Sequence, residues 1–354
     1  MLQSIKERTL SVMPTYQCTA SCNDCGTFSS PAEKATQTIE AMKKGIYEAS
    51  LLDFKIIVFT GGEATLRYSD LVEGIEYASS LGLATRLVTN GYWATSMPVA
   101  RKKIEVLKSA GLTEINFSTG TEHVKFISLE KVINGICAAL ELQLPTMVMV
   151  ELGEHAVIKD DDILQHTRIA ELSESRRKLL KVIESPWSPM DPDIIGEYPA
   201  DRLTNKDNIS SREPCTSILN TYTLQPDGRI GACCGLGLRI IPELNVGFAS
   251  DENSLEKAID EAESDFIKIW LHIEGPERIL EWASEIDPSI EWENMYAHHC
   301  QACLRIFDDP KIQKVIKENY RMKASQVYQS LWLDYVFNPS QLISKESPDH
   351  AQKN

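Results

Sequence analysis

Between residues 9 and 184 the chain alternates short apolar runs with amphipathic stretches of helical length, and this rhythm constrains its fold more than any other feature. The runs are TLSVMP (9–14), KIIVFT (55–60), ATRLVT (84–89), LTEINFS (112–118), PTMVMVE (145–151) and KLLKVIE (178–184). Between them lie predicted helices near 36–51, 69–81, 97–110, 127–143 and 161–177. Strand and helix in strict alternation predict βαβ units and a parallel sheet. The predicted class is therefore α/β, with six units forming an open, partial (β/α)6 TIM-like barrel. In such sheets ligands gather at the carboxyl ends of the strands.

The proline-rich stretch SPWSPMDPDIIGEYPAD (185–201) breaks the rhythm. The predicted organisation is a barrel over 1–190, a linker over 191–212, a second domain over 213–325, and a polar, disordered tail over 338–354. In the second domain NTYTLQPDGRIGACC (220–234) reads as a hairpin turning at Pro226-Asp227-Gly228. Helices are expected over 252–270, 276–286 and 310–325.

Composition narrows the function classes. The 354 residues carry a net charge of −15, from 51 acidic and 36 basic residues. A surface so acidic argues against nucleic acid as a partner, because phosphates must be met by basic groups. It suits a solvated surface, or attraction of a Lys/Arg-rich peptide. The first residues contain no apolar segment of signal-peptide length, and the apolar runs fall far short of the ~20 residues that span a bilayer. A cytoplasmic protein without a membrane segment is expected.

Nine cysteines without an export signal argue for metal or redox chemistry rather than disulfides. Eight fall into three groups. Cys18, Cys22 and Cys25 form C-x3-C-x2-C just after the first strand. Structural zinc takes four closed ligands, whereas three thiolates on a cubane iron–sulfur cluster leave one iron open. Zinc in a simple binding module and an open cluster both remain possible readings of the spacing alone. After the second strand comes TGGEA (60–64), where Thr60, Gly61 and Gly62 would let a ligand approach the backbone. Glu63 adds a carboxylate able to accept hydrogen bonds from an ammonium group. Further on, Cys215, Cys233, Cys300 and Cys303 could close a second metal site, with zinc again the alternative. Cys137, in VINGICAAL, fits an apolar helix face. Cys234 follows Cys233 on a predicted strand, so its side chain should point the opposite way, toward the barrel mouth.

With C-x3-C-x2-C and GGE on successive strand ends, the sequence resembles the radical S-adenosylmethionine (SAM) superfamily. That resemblance implies a [4Fe–4S] cluster on Cys18, Cys22 and Cys25, with SAM on the open iron and Gly61, Gly62 and Glu63 holding its amine. It also implies SAM contacts from Asn90, Ser118 and Glu151. One departure is Asp24, which stands where the family commonly has an aromatic residue. The spacing C-x12-G-x4-C followed by C-x2-C resembles the Twitch domain, a shortened SPASM domain, and implies an auxiliary [4Fe–4S] cluster on Cys215, Cys233, Cys300 and Cys303.

CTASCNDCGTFSSP, FTGGEATLRY, TNGYW, the ACC at 232–234, EGPERILEW (274–282) and CQACLRIF (300–307) resemble the epipeptide-type peptide epimerases. In these, hydrogen is taken from an α-carbon of a ribosomal peptide and returned to the opposite face by a cysteine thiol, the position matched by Cys234. The implied partners are a peptide substrate, a separate leader-binding protein, and an electron donor such as flavodoxin or ferredoxin. Carbon–carbon or thioether crosslinking of a peptide would use the same parts. So would dehydrogenation or epimerisation of an aminocyclitol or sugar.

Overall fold

A computed structural model of the chain describes residues 8–186 and 197–337. The expected tail over 338–354 and part of the expected linker lie outside the described residues. All six expected strands form: β1 (Thr9–Val12), β2 (Ile56–Phe59), β3 (Ala84–Thr89), β4 (Glu114–Thr119), β5 (Thr146–Leu152) and β6 (Leu180–Pro186). Each pairs in parallel with the next, so the alternating pattern has produced the parallel sheet it predicts.

Helices α1 (Ile39–Leu51), α2 (Tyr68–Ser80), α3 (Met97–Ser109) and α4 (Leu129–Glu141) make the crossovers. In α1, Thr38 caps the first turn by accepting from Ala41 N at 3.2 Å, and Met42, Gly45, Ile46 and Ala49 bury one face at helical spacing. The stretch expected as one helix over 161–177 is instead three short helices, α5 (Asp160–Leu164), α6 (Thr167–Ala170) and α7 (Glu174–Arg177). His166 O accepts from both Ile169 N and Ala170 N, and Ser173 O from Arg176 N and Arg177 N, so the chain restarts a turn twice.

After residue 197 the chain returns to the same sheet. β7 (Thr221–Leu224) pairs in parallel with β1, placing Thr9 opposite Thr221. β8 (Arg229–Gly231) and β9 (Asn245–Phe248) follow antiparallel. Among the described residues the order is β6-β5-β4-β3-β2-β1-β7-β8-β9. The expected Pro-Asp-Gly turn joins β7 to β8, with Gly228 at φ +86° and its N–H donating to Gln225 O at 2.9 Å.

The remaining helices are α8 (Ser254–Ser264), α9 (Phe266–Ile273), α10 (Pro276–Ile286), α11 (His299–Asp308), α12 (Pro310–Asn319) and α13 (Arg321–Phe337). The expected helix over 252–270 breaks at Asp265, whose carboxylate caps α9 by accepting from Ile267 N at 2.8 Å and Lys268 N at 3.1 Å. The expected helix over 310–325 is likewise two helices, and the second runs on to Phe337. Helix α1 seats the C-terminal part on the sheet. A Cβ on Gly45 would lie 2.2 Å from Leu224 Cδ1, so any larger residue here would have to push that side chain of β7 aside. Among the described residues no helix is long and apolar enough to cross a membrane.

Candidate functional site

A cavity of about 570 Å³ opens at the carboxyl ends of the first strands. Cys18, Cys22 and Cys25 line it, with Thr60, Gly61, Gly62, Asn90 and Ser118 from the ends of the next three strands. Cys234 and Cys300 line it too. Thiols more than 200 residues apart in sequence therefore share one chamber. Glu63, Glu151, Cys215, Cys233 and Cys303 are not among its lining residues.

The thiols of the first group are ringed by donors. Cys18 Sγ accepts from Ala20 N at 3.4 Å and from Asn90 Nδ2 at 3.5 Å. Cys25 Sγ accepts from Ser29 N at 3.3 Å and lies 3.4 Å from Thr27 Oγ1. His123 Nδ1 stands 4.0 Å from Cys22 Sγ. Burial is the main reason the Cys18 thiol is pushed up to about 11, and it pushes Cys22 up further. N–H groups aimed at sulfur suit thiolates, and a bound cation would offset the desolvation that keeps the free thiols neutral. Among the described residues no three Cys, His, Asp or Glu side chains converge as they would on a single ion. A cubane, with a separate iron for each thiolate, requires no such convergence. The donor set thus fits a cluster.

The TGGE segment is built against its own chain. Gly62 N donates to Thr15 O at 2.9 Å and Glu63 N to Gln17 O at 2.8 Å. A Cβ on Gly62 would fall 2.2 Å from Gln17 O and 2.5 Å from Tyr16 O. The close approach predicted for this glycine pair is made by the backbone leading into Cys18. Glu63 is 1 % exposed. Its Oε1 accepts from Thr65 N at 3.1 Å, Thr65 Oγ1 at 2.5 Å and Thr89 Oγ1 at 2.9 Å, and its Oε2 from Asn90 N at 2.8 Å.

Glu151 has protein partners as well. Its Oε2 accepts from Glu122 N at 2.7 Å, and a Cβ on Gly120 would lie 2.1 Å from Glu151 Cβ. Burial, reinforced by the charge of Glu151, pushes the Asp24 carboxyl up to about 7, and burial also raises Glu151. The position that departs from the aromatic pattern is thus a carboxyl paired with a second carboxyl beside the thiol loop.

The C-terminal thiols form a second group. Burial raises Cys215, Cys300 and Cys303, and each is raised further by the charge of Cys234. The expected strand through Cys233 and Cys234 does not extend that far: β8 ends at Gly231, both residues lie in a bend, and their thiols interact instead of pointing apart, which raises buried Cys233 and lowers Cys234. Ser217 also hydrogen-bonds Cys234. Five neighbouring thiols, two of them on the cavity lining, offer the donor chemistry of a metal cluster. Cys137 is buried in α4, as its apolar setting predicts.

Sequence reading missed several residues. Thr89 anchors Glu63 and accepts from Trp93 Nε1 at 3.0 Å. His298 lines the cavity beside Cys300 and caps α11 by accepting from Cys300 N at 3.1 Å. A histidine just ahead of C-x2-C was the available signal. His123 lines the cavity as well, and its place after Glu122 in TGTEHVKF was visible without its proximity to Cys22.

The thiol motif at the end of β1 keeps the resemblance to radical SAM proteins, and comparison with known proteins supports that resemblance. The chain is 22 % identical over 333 residues to YydG of Bacillus subtilis strain 168, whose name places it in peptide biosynthesis; the match spans 89 % of this chain and 99 % of YydG. A Pyrococcus horikoshii protein named for GTP 3′,8-cyclase activity is 32 % identical over 168 residues, covering 46 % of this chain and 51 % of its own. The solved structure of anSMEcpe with bound AdoMet shares the fold, with a TM-score of 0.51 at 12 % identity over 91 % of this chain and 99 % of that one. No family model matches the chain.

Proposed function

We propose that this protein is a radical SAM enzyme with a second, auxiliary [4Fe–4S] cluster, and that it modifies a peptide, most directly by epimerising a residue. The observation that carries the reading is the single cavity lined by Cys18, Cys22 and Cys25 on one side and by Cys234 and Cys300 on another. A peptide substrate is favoured by the likeness to YydG along nearly its whole length.

Cys18, Cys22 and Cys25 would hold the SAM-binding cluster at the mouth of a partial barrel. Cys215, Cys233, Cys300 and Cys303 would hold the auxiliary one in a Twitch-like region. When bound, SAM and its cluster supply a 5′-deoxyadenosyl radical able to take hydrogen from an unactivated C–H bond. The remaining work falls to the chain. The cavity would receive the reacting carbon, and Ser118 and Asn90 line it at strand ends. Cys234, facing the same cavity, would return a hydrogen atom from its S–H to the α-carbon. The thiyl radical left on its sulfur is restored by one electron and one proton from an external donor such as flavodoxin or ferredoxin.

The test is incubation of the anaerobically reconstituted protein with SAM, a reductant and candidate peptides, including any small one encoded beside its gene, in deuterated water. Epimerisation places one solvent deuteron on an α-carbon per turnover. A crosslinked peptide, lighter by two hydrogens and without deuterium, would replace epimerisation with crosslinking. The partial match to the archaeal cyclase keeps a small-molecule substrate as the second reading. SAM turnover stimulated by a nucleotide or sugar and not by peptide would favour it.

A further inference from the structure

We propose that His298 is a fixed hydrogen-bond donor to the auxiliary cluster: its ring carries the proton on Nε2, offers it to cluster sulfur and so raises the reduction potential, and it is not a ligand. This assignment rests on the reading of the C-terminal thiols as a cluster site.

The place of the proton follows from one bond. His298 caps α11, and its Nδ1 accepts from Cys300 N at 3.1 Å. A backbone N–H can only donate, so Nδ1 bears no hydrogen and the proton of the ring sits on Nε2. A ring nitrogen that bears hydrogen has no lone pair free for a metal, and the other nitrogen is already engaged. The histidine ahead of C-x2-C, a candidate ligand by spacing alone, is thereby a donor.

That donor is unspent. Among the described residues Nε2 meets no acceptor, and it is not one of the buried polar atoms closed off from any partner. His298 lines the cavity together with Cys234 and Cys300. Its neighbour His299 turns elsewhere, with Nδ1 2.8 Å from Glu277 Oε2, and stays out of the lining.

What the ring meets is set by the start of α11. Cys300 follows His298 by two residues, and Cys303, one turn further, lies on the same side of the helix. Cys300 feels the charges of Cys234, Cys215 and Cys303, so sulfur gathers at the helix start. A cluster held by these thiols brings negatively charged sulfur to the place where Nε2–H is the open donor. The Cys300 N–H, one of the unpaired donors of a helix start, is spent on Nδ1. The imidazole thus takes up one donor and offers another. A donor facing cluster sulfur favours the more negative, reduced state and raises the potential.

The test measures the midpoint potential of the cluster whose electron paramagnetic resonance signal does not respond to SAM, in anaerobically reconstituted wild type, H298N and H298Q. Asparagine keeps a cap acceptor for Cys300 N but does not reach the Nε2 position, whereas glutamine carries an N–H to roughly that position. The expected potential of H298N is more negative by the equivalent of about tenfold in the one-electron equilibrium, about 59 mV. Its iron content and SAM-responsive signal should match wild type. H298Q should shift less. An unmoved potential in H298N overturns the proposal, and equal shifts in the two variants reduce the effect to packing and overturn it as well.

Wild-type protein grown with histidine labelled with heavy nitrogen gives a second readout that needs no variant to fold. In pulsed paramagnetic resonance the reduced, SAM-insensitive cluster should show the weak nitrogen coupling of a hydrogen-bonded imidazole. Strong coupling would make a histidine a ligand, and no coupling would place the ring away from the cluster; either result overturns the proposal. Reduced wild type without any SAM-insensitive signal refutes the auxiliary cluster itself, which separates that failure from this one.

Discussion

The Tyr16 hydroxyl donates to Gln225 Oε1 at 2.8 Å, tying the loop that leads into Cys18 to the end of the strand that leads toward Cys234. Gln225 passes the contact on, its Nε2 donating to Asn245 Oδ1 at 2.6 Å. The Arg239 guanidinium lies 4.5 Å from the Tyr16 ring centre, bracing it from the other side. The two thiol groups are thus fixed relative to each other by a buried polar chain. Tyr16→Phe removes its donor and leaves Gln225, 1 % exposed, short of one partner. The expected cost is about 1–2 kcal/mol in denaturant unfolding. An effect within measurement error would mean the chain does not brace the site.

Gly62→Ala tests the contact between the GGE segment and the thiol loop. Its methyl group would meet two backbone oxygens, at 2.2 Å from Gln17 O and 2.5 Å from Tyr16 O, and backbone cannot swing aside as a side chain can. The expected loss is about 2–3 kcal/mol of stability. Iron bound at the first site should fall with it. Gly228→Ala is the control for lost glycine freedom: nothing lies within 4 Å of its Cβ position, although its φ of +86° is strained for alanine. It should lower stability without lowering the first site's iron.

Helix α8 is held at its start by Glu48 of α1, whose Oε2 accepts from Ser254 Oγ and Leu255 N, both at 2.8 Å. Burial pushes this carboxyl up, but the bonds from Lys44, Leu255 N and Ser254 outweigh it and hold it below its ordinary 4.5. A depressed carboxyl contributes stability that is fully present above the unfolded value and is lost as pH falls through the folded one. Glu48→Gln should therefore cost about 1–2 kcal/mol near pH 7 and progressively less below about pH 4.5. A deficit that persists unchanged at pH 3 would contradict the assignment.

Cys233 and Cys234 separate by metal content and turnover. If Cys233 ligates the auxiliary cluster and Cys234 returns hydrogen, Cys233→Ala should lose about four of some eight irons per chain. Cys234→Ala should keep its iron and its SAM cleavage but lose peptide turnover. Because the charge of Cys234 is felt by Cys215, Cys300 and Cys303, the reverse pattern is the specific alternative: iron lost from Cys234→Ala would make Cys234 the fourth ligand.

Six strands and four of the five crossover helices were legible because each is a local pattern of apolar spacing. The stretch over 160–177 was not, since its breaks depend on which carbonyl receives each N–H, and DDDILQHTRIAELSESRR keeps an acceptable helical composition throughout. The pairing of β7 with β1 was also hidden, because nothing in TYTL names a partner some two hundred residues earlier. At the site, cysteine spacing announced both thiol groups. The partners of Glu63 were hidden for a physical reason: beside Thr65 they are the hydroxyl of Thr89 and the backbone N–H of Asn90, and a backbone group leaves no mark on sequence. Gly61 and Gly62 were read as room for a ligand, and the room is partly taken by Thr15, Tyr16 and Gln17.

The central claim is that Cys18, Cys22 and Cys25 hold an iron–sulfur cluster that drives cleavage of SAM. The most direct measurement is 5′-deoxyadenosine released by anaerobically reconstituted protein given SAM and a strong reductant. The account predicts its release from wild type and from Cys234→Ala, and its loss from Cys18→Ala. Zinc in place of iron and sulfide, or iron-loaded protein that leaves SAM intact with and without candidate peptides, would contradict it.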